Sequence, residues 1–204
     1  LICGEGSTVE EILEKTESAL EGGVTAVQLR VKNMSGRECY ETALSLKAIC
    51  RAHGALFIIN DRLDIALAAG ADGVHLGQKD LPVDAARRIA PQGFIIGGTA
   101  RTPELARKAE ELGADYVGCG AAFATRTKGD AVVIGPEGIK ETLAAIKIPA
   151  VAIGGIELSN IERLAGCGCS GISLSNAIMK SDDPKKTAAA LREKADAISV
   201  KKQA

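Results

Sequence analysis

Four places in the chain carry the same junction, in which an amphipathic stretch ends on glycine and an apolar run begins at once: EGGVTAVQL, AAGADGVHL, ELGADYVGC and GCGCSGISL. Glycine just past the end of a helix takes the left-handed turn that closes it, so these are helix-to-strand links with almost no loop. They sit inside a longer alternation. Short apolar runs lie near 1–3, 24–30, 55–60, 72–77, 93–98, 115–120, 148–155 and 170–175, which makes eight. Stretches of helical periodicity separate them, among them TVEEILEKTESALEGG, RECYETALSLKAICRAHG and PELARKAEELGA. Ser7 or Thr8, ahead of Glu10 and Glu11, reads as a helix N-cap, and Pro103 opens a helix where its missing N–H costs nothing.

The runs are nearly continuous in hydrophobicity, as strands covered on both faces must be. Strand-to-helix stretches are longer than the helix-to-strand links and richer in Gly, Thr, Lys and Asp. That asymmetry belongs to parallel βα units with function gathered on one face. Eight units predict an α/β fold, a parallel eight-stranded (β/α)8 TIM barrel, occupying residues 1–204 as one domain without a linker. The alternative is a doubly wound open sheet, but its usual GxGxxG after the first strand is missing. The chain opens on Leu1 and enters a strand almost at once, which leaves room for an upstream piece ahead of the first strand.

Composition narrows the function classes. A chain with 46% hydrophobic residues and a net charge of −1, from 25 basic and 26 acidic residues, suits a globular domain and argues against a basic nucleic-acid binder. Aromatics make up 2% with no Trp, so stacking platforms for single strands are not expected. No apolar run approaches the ~18 residues of a membrane span, and LICGEGSTVEE lacks the basic start of a signal peptide. Cysteines at 3, 39, 50, 119, 167 and 169 form no CxxC pair, and two histidines, His53 and His75, do not supply a zinc spacing. They read as small buried thiols of a cytoplasmic protein.

In a barrel of this kind the site is built just beyond the C-terminal ends of the strands. Strand two ends in Gln28-Leu29-Arg30-Val31-Lys32, where alternation puts Gln28, Arg30 and Lys32 on one side. Strand three delivers Asn60 and Asp61, strand four Asp80, and strand five ends near Thr99. Strand six leads into ATRTKGD with Thr125, Thr127 and Lys128; strand seven closes in Gly154-Gly155, and strand eight in Ser175-Asn176. Asp61 and Asp80 among Arg30, Lys32 and Lys128 suit Mg²⁺ held against a polyphosphate, since this ion takes one or two protein carboxylates and fills its other positions with phosphate and water. The glycine pair and the small residues after strand eight match the recurrent phosphate site of such barrels. Each element has a plainer explanation: the two acids cap the helices that follow, the cations are rim charges, and TRTKGD is a polar loop. His75, inside a strand, reads as a core residue. Their collection at one end of nearly every strand favours a phosphate-handling barrel.

The segments QLRVK, INDRLDIALAAGADGVHLGQKDLP, GADYVGCGAAFATRTKGD and AIGGI resemble thiamine phosphate synthase, in that family's order and from about the first strand to Pro184. The INDR…GVHLGQ-x-D and T-x-T-K segments are specific; AIGGI is shared by many phosphate-binding barrels. The resemblance implies an enzyme that joins hydroxymethylpyrimidine diphosphate to hydroxyethylthiazole phosphate and releases pyrophosphate. It implies Gln28 and Thr99 facing the pyrimidine, Arg30, Lys32, Asn60 and Lys128 on the diphosphate, and Asp61 and Asp80 on Mg²⁺. Thr125, Thr127, Gly155 and the backbone at Ser175 and Asn176 would line the thiazole phosphate side. The expected partners are these two small molecules, with neither nucleic acid nor membrane and with self-association left open. The chain departs from the family at Thr99 (commonly Ser), Arg101 (His), Ala121 (Pro) and Asn176 (Ser). The nearest rival is the thiazole tautomerase branch, which uses a His near the end of strand six, where this chain has Ala121, and generally lacks the intact T-x-T-K. A non-catalytic phosphate-ligand sensor is the reading from another class.

Overall fold

The structure, a computed structural model, describes residues 1–4, 6–125 and 132–200. Among them, eight strands form one sheet in the order β1-β2-β3-β4-β5-β6-β7-β8. They are β1 Ile2–Cys3, β2 Ala26–Leu29, β3 Leu56–Asn60, β4 Gly73–Leu76, β5 Ile95–Ala100, β6 Tyr116–Gly120, β7 Ala150–Ile153 and β8 Gly171–Ser173. The helices are α1 Val9–Glu21, α2 Gly36–Ala52, α3 Leu63–Ala68, α4 Val83–Ile89, α5 Pro103–Glu111, α6 Gly135–Ala144, α7 Asn176–Met179 and α8 Pro184–Ile198. Strict βα alternation with sequential parallel neighbours is the (β/α)8 class, as the eight apolar runs predicted. One link differs: β7 and β8 are joined by a single 3-10 turn, Ile161–Leu164, rather than by an α-helix. Only 17 residues separate Ile153 from Gly171, and part of that length is spent on glycine turns.

By packing, the chain divides into two compact units, Leu1–His75 with Ala90–Ile95 and Ser175–Arg192, and Leu76–Ile89 with Ile96–Leu174 and Glu193–Ala204. In the first unit, register pairs Val27 with Phe57 and Leu29 with Ile59, and all four side chains are buried. Fully burying a residue of this kind stabilises by about 1.5–3 kcal/mol. Thr8 is the cap of α1, forming a reciprocal capping box with Glu11, and Ser35 does the same for α2 with Glu38. In the second unit, Gly97 of β5 leaves room for a large neighbour on β6: a Cβ there would strike the Tyr116 ring.

The four glycine junctions all precede even-numbered strands, and two of them carry an extra device. The Asp72 amide donates to the Phe57 carbonyl at 2.8 Å while its carboxylate accepts the Phe57 N–H at 2.7 Å. Asp115 repeats this in the second unit, donating to the Ile96 carbonyl at 2.8 Å and accepting the Ile96 N–H at 2.7 Å, with the Arg87 guanidinium bracing its carboxylate. At the corresponding place before β8, the Ser170 amide donates to the Ala150 carbonyl at 2.7 Å and its hydroxyl has no partner. Removing an acceptor from a main-chain N–H costs about 1–3 kcal/mol. Asp115→Ala is therefore expected to lower the melting temperature by several degrees at unchanged turnover. A melting curve that superposes on the wild type would show that the carboxylate pins nothing.

All six cysteines are free and buried. Burial, the largest cause in each case, pushes the Cys3 and Cys119 thiols up to about 11 and Cys50 to about 12, from an ordinary 9.0. The unfolded chain therefore releases thiol protons from pH 9 upward while the folded chain keeps them until pH 11–12. Stability from this source is complete below pH 9 and is lost as pH climbs through that window. Denaturant midpoints measured across the alkaline range should fall there, and Cys50→Ala should soften the fall. An identical pH profile for the variant would remove the thiol from the account.

Candidate active site

In the first unit the β2 and β3 ends form a polar edge. Gln28 and Arg30 alternate with the buried Val27 and Leu29 and are themselves half-buried. Beyond them Lys32 pairs with the Asp61 carboxylate. With the Lys32 side chain 50% exposed, that ion pair is worth only about 1 kcal/mol. A charge held so lightly can be handed to a ligand at little cost.

The backbone at Asp61 is the unusual feature. The β3–β4 ladder runs through Asn60 opposite His75, and the Asp61 amide adds one more rung to the His75 carbonyl at 2.8 Å. Then Asp61 takes φ 65°, alone among described non-glycine residues in having a positive φ, and the Arg62 N–H turns back to the Asn60 carbonyl at 2.7 Å. This is a γ-turn in the left-handed region, a strained conformation that costs on the order of 1 kcal/mol or more. It delivers the carboxylate of Asp61 to Lys32. The helix-capping explanation does not hold for this acid: α3 starts at Leu63, and the residue at its N-cap position, Arg62, makes no side-chain cap bond. Instead Arg62 holds Asp64 through two bonds of 2.8 and 2.6 Å.

In the second unit Asp80 closes its own turn. Its carboxylate accepts the Gly77 N–H at 2.7 Å, and its amide donates to the Gly77 carbonyl at 3.2 Å. Because α4 starts three residues later, at Val83, Asp80 is a turn residue rather than a helix cap. Gln78, in the same turn, donates to the Thr99 carbonyl at 2.5 Å and so fixes the turn to the end of β5. Neither the distance nor the partner was readable from HLGQKD. Thr125 is half-buried at the end of the described segment; Thr127 and Lys128 lie outside the described residues.

The β7 end carries Gly154 at φ 99° and Gly155 at φ 63°. Phe123 donates to the Gly154 carbonyl at 2.9 Å and Ala122 to the Ile153 carbonyl at 2.8 Å, which staples the turn to the chain leaving β6. A Cβ at Gly155 would run into the Ala124 carbonyl oxygen and the Phe123 main chain, so glycine is required by space as well as by φ. Beside this turn opens a cavity of about 460 Å³ lined by Phe123, Gly155, Glu157, Asn160 and Arg163 among others. The Arg163 guanidinium lies 5.1 Å from the centre of the Phe123 ring, a cation–π arrangement. Within the first unit, Ser175 precedes the single-turn helix α7 and its carbonyl accepts from Ile178 and Met179 at 3.0 and 2.9 Å, so Ser175 and Asn176 stand at a helix start. Arg101 is exposed and Ala121 is buried.

The sequence matches the family described as thiamine monophosphate synthase over residues 1–178. The chain belongs to that family. A thiamine-phosphate synthase of Coprothermobacter proteolyticus is 47% identical over 180 residues, covering 88% of this chain and 85% of the relative. One of Pyrococcus horikoshii is 46% identical over 180 residues, covering 88% and 86%. The solved thiamine phosphate pyrophosphorylase of Pyrococcus furiosus superposes with TM-score 0.86 at 43% identity, covering 91% of this chain and 90% of that one. A 3-hexulose-6-phosphate synthase, 18% identical with TM-score 0.71, shares the fold alone. The thiamine monophosphate synthase family makes this chain an enzyme of the transferase class. No described helix is long and apolar enough to cross a membrane.

Taken singly, the carboxylates of Asp61 and of Asp80 are of the donor type that Mg²⁺ takes alongside phosphate and water. Asp61 and Asp80 are hard oxygen donors, and no described cluster of three or more His, Cys, Asp or Glu could cage a metal by itself. An ion that keeps positions for phosphate and water has no need of one. The residues that sequence reasoning passed over are Gln78, Phe123, Asn160 and Arg163. Gln78 and Phe123 stand inside the motifs GVHLGQ-x-D and GADYVGCGAAFATRTKGD, and nothing in their spacing pointed to the Thr99 carbonyl or to Arg163.

Proposed function

We propose that this enzyme condenses hydroxymethylpyrimidine diphosphate with hydroxyethylthiazole phosphate to give thiamine phosphate and pyrophosphate, with Mg²⁺ assistance. The observation that carries the reading is the match to relatives of that name at 47% identity over nearly the whole chain. In the reaction the bond between the pyrimidine methylene carbon and the diphosphate oxygen breaks, and its electron pair leaves with pyrophosphate. The thiazole nitrogen then supplies the pair for the new carbon–nitrogen bond. An electron-rich aminopyrimidine stabilises the carbocation-like carbon between these events, so no covalent nucleophile is needed.

The work left to the protein is to stabilise the leaving charge and align the nitrogen. Arg30, Lys32, Asn60 and Lys128 hold the diphosphate; Lys32 can exchange the Asp61 carboxylate for a phosphate oxygen without leaving its place. Gln28 and Thr99 face the pyrimidine. Thr125, Thr127, Gly155 and the main chain at Ser175 and Asn176 receive the thiazole phosphate. Asp61 and Asp80 hold Mg²⁺, which when bound neutralises charge on the departing pyrophosphate. Six unpaired thiols suit a reducing compartment, so the enzyme acts in the cytoplasm on small molecules.

Pyrophosphate release from purified enzyme is expected to require both substrates and to collapse in EDTA. Full activity in EDTA would sink the metal assignment. Absence of turnover under every divalent cation would point instead to the tautomerase branch or to a ligand sensor.

A further inference from the structure

We propose that Asn160 is a positioning residue for the phosphate end of the thiazole substrate. The inference rests on the reading that the Gly155 main chain receives that phosphate. Asn160 stands at the N-cap position of the 3-10 turn, yet its side chain makes no cap bond to that turn. It reaches backward instead. Its Oδ1 accepts the Glu157 N–H at 2.9 Å, and its Nδ2 donates to the Gly155 carbonyl at 2.8 Å. The amide has one workable orientation here, because a flip would set NH₂ against N–H and oxygen against oxygen.

The physical need for such a brace lies in the turn itself. Gly154 and Gly155 are consecutive glycines with positive φ, the residues with the most backbone freedom to lose on ordering. An anion site made of main-chain N–H groups works only if those peptide planes are already aimed before the ligand arrives. On one side the aim is set by the chain after β6, through the bonds to Gly154 and Ile153 carbonyls and the close approach of the Ala124 carbonyl to Gly155. On the other side Asn160 supplies the side-chain restraint, half-buried at the wall of the 460 Å³ cavity. It holds the Gly155 carbonyl, and with it the plane of the peptide that follows.

The test compares Asn160→Ala and Asn160→Asp by calorimetric titration with hydroxyethylthiazole phosphate, by steady-state kinetics with both substrates, and by melting curves. Alanine should raise Kd and KM for the thiazole phosphate about tenfold, with kcat at saturation and KM for the pyrimidine diphosphate held within about twofold. Aspartate keeps the acceptor for Glu157 but sets a carboxylate oxygen against the Gly155 carbonyl where a donor stood, so it should not restore the affinity. Because alanine is uncharged, its effect cannot be charge repulsion of the phosphate. Unchanged thiazole phosphate affinity in the alanine variant overturns the proposal. So does a parallel loss on both substrates that aspartate repairs together with stability. Wild-type enzyme that binds the thiazole phosphate without turning it over would overturn the synthase reading alone, and wild-type enzyme that does not bind it would overturn both.

Discussion

Asp80→Asn is expected to lower turnover about 10²-fold or more and to move the Mg²⁺ titration of activity to higher concentration, with little change in melting temperature. Asparagine keeps the shape of the side chain, and its amide oxygen can still accept the Gly77 N–H that Asp80 holds at 2.7 Å. What it removes is the negative charge. Turn geometry therefore survives while the contribution to a divalent cation does not. The control is Asp72, which stands at the other end of the same strand: β4 runs from Gly73 to Leu76, with Asp72 just before it and Asp80 beyond it. Asp72→Asn should leave the metal titration and turnover nearly intact, and any cost should appear in stability, since its carboxylate accepts the Phe57 N–H. Activity measured against Mg²⁺ for both variants, beside their melting curves, decides the matter. A shifted titration in the Asp72 variant and an unshifted one in the Asp80 variant would refute both the metal assignment and the polarity of function along the strand.

Lys128→Ala should also reduce turnover by about 10²-fold or more, because a fixed cation on developing phosphate charge is typically worth a few kcal/mol. Lys128 lies outside the described residues, so this expectation rests on the ATRTKGD segment and on the charge balance of the reaction rather than on a distance. The loss should appear mainly in kcat, since the charge on the leaving group is larger in the transition state than in the bound substrate. Unchanged kinetics would make TRTK an ordinary loop and would remove the main argument against the tautomerase branch.

The strands were legible because burial on both faces leaves little freedom in composition: the run ALFIIN at 55–60 contains β3, Leu56–Asn60, almost residue for residue. The junction glycines marked the even strands in the same way. Site residues could be placed at strand ends because βα units put them there, but their local geometry could not be read. Asp61 and Asp80 each looked able to cap a helix, and only the γ-turn at Asp61 and the closed 77–80 turn show that neither does so. The missing α-helix between β7 and β8 has the same origin. IELSNIERLAG has enough helical residues to suggest a helix, yet Asn160 ties its amide back to Gly155 and Glu157, and one 3-10 turn is what fits. Long-range pairs such as Gln78 with Thr99 have no periodic signature at all. Periodicity reports which face of an element is covered, not which carbonyl lies across the gap.

The burial of all six thiols has a consequence for how this enzyme ages. A thiol that is both enclosed and protonated presents no thiolate to an oxidant, so damage in air can enter only through molecules that have opened, locally or completely. Its shelf life under aerobic conditions is then set by how often the protein opens rather than by the oxidant's own reactivity. A bound substrate that suppresses opening would preserve the thiols without touching any of them.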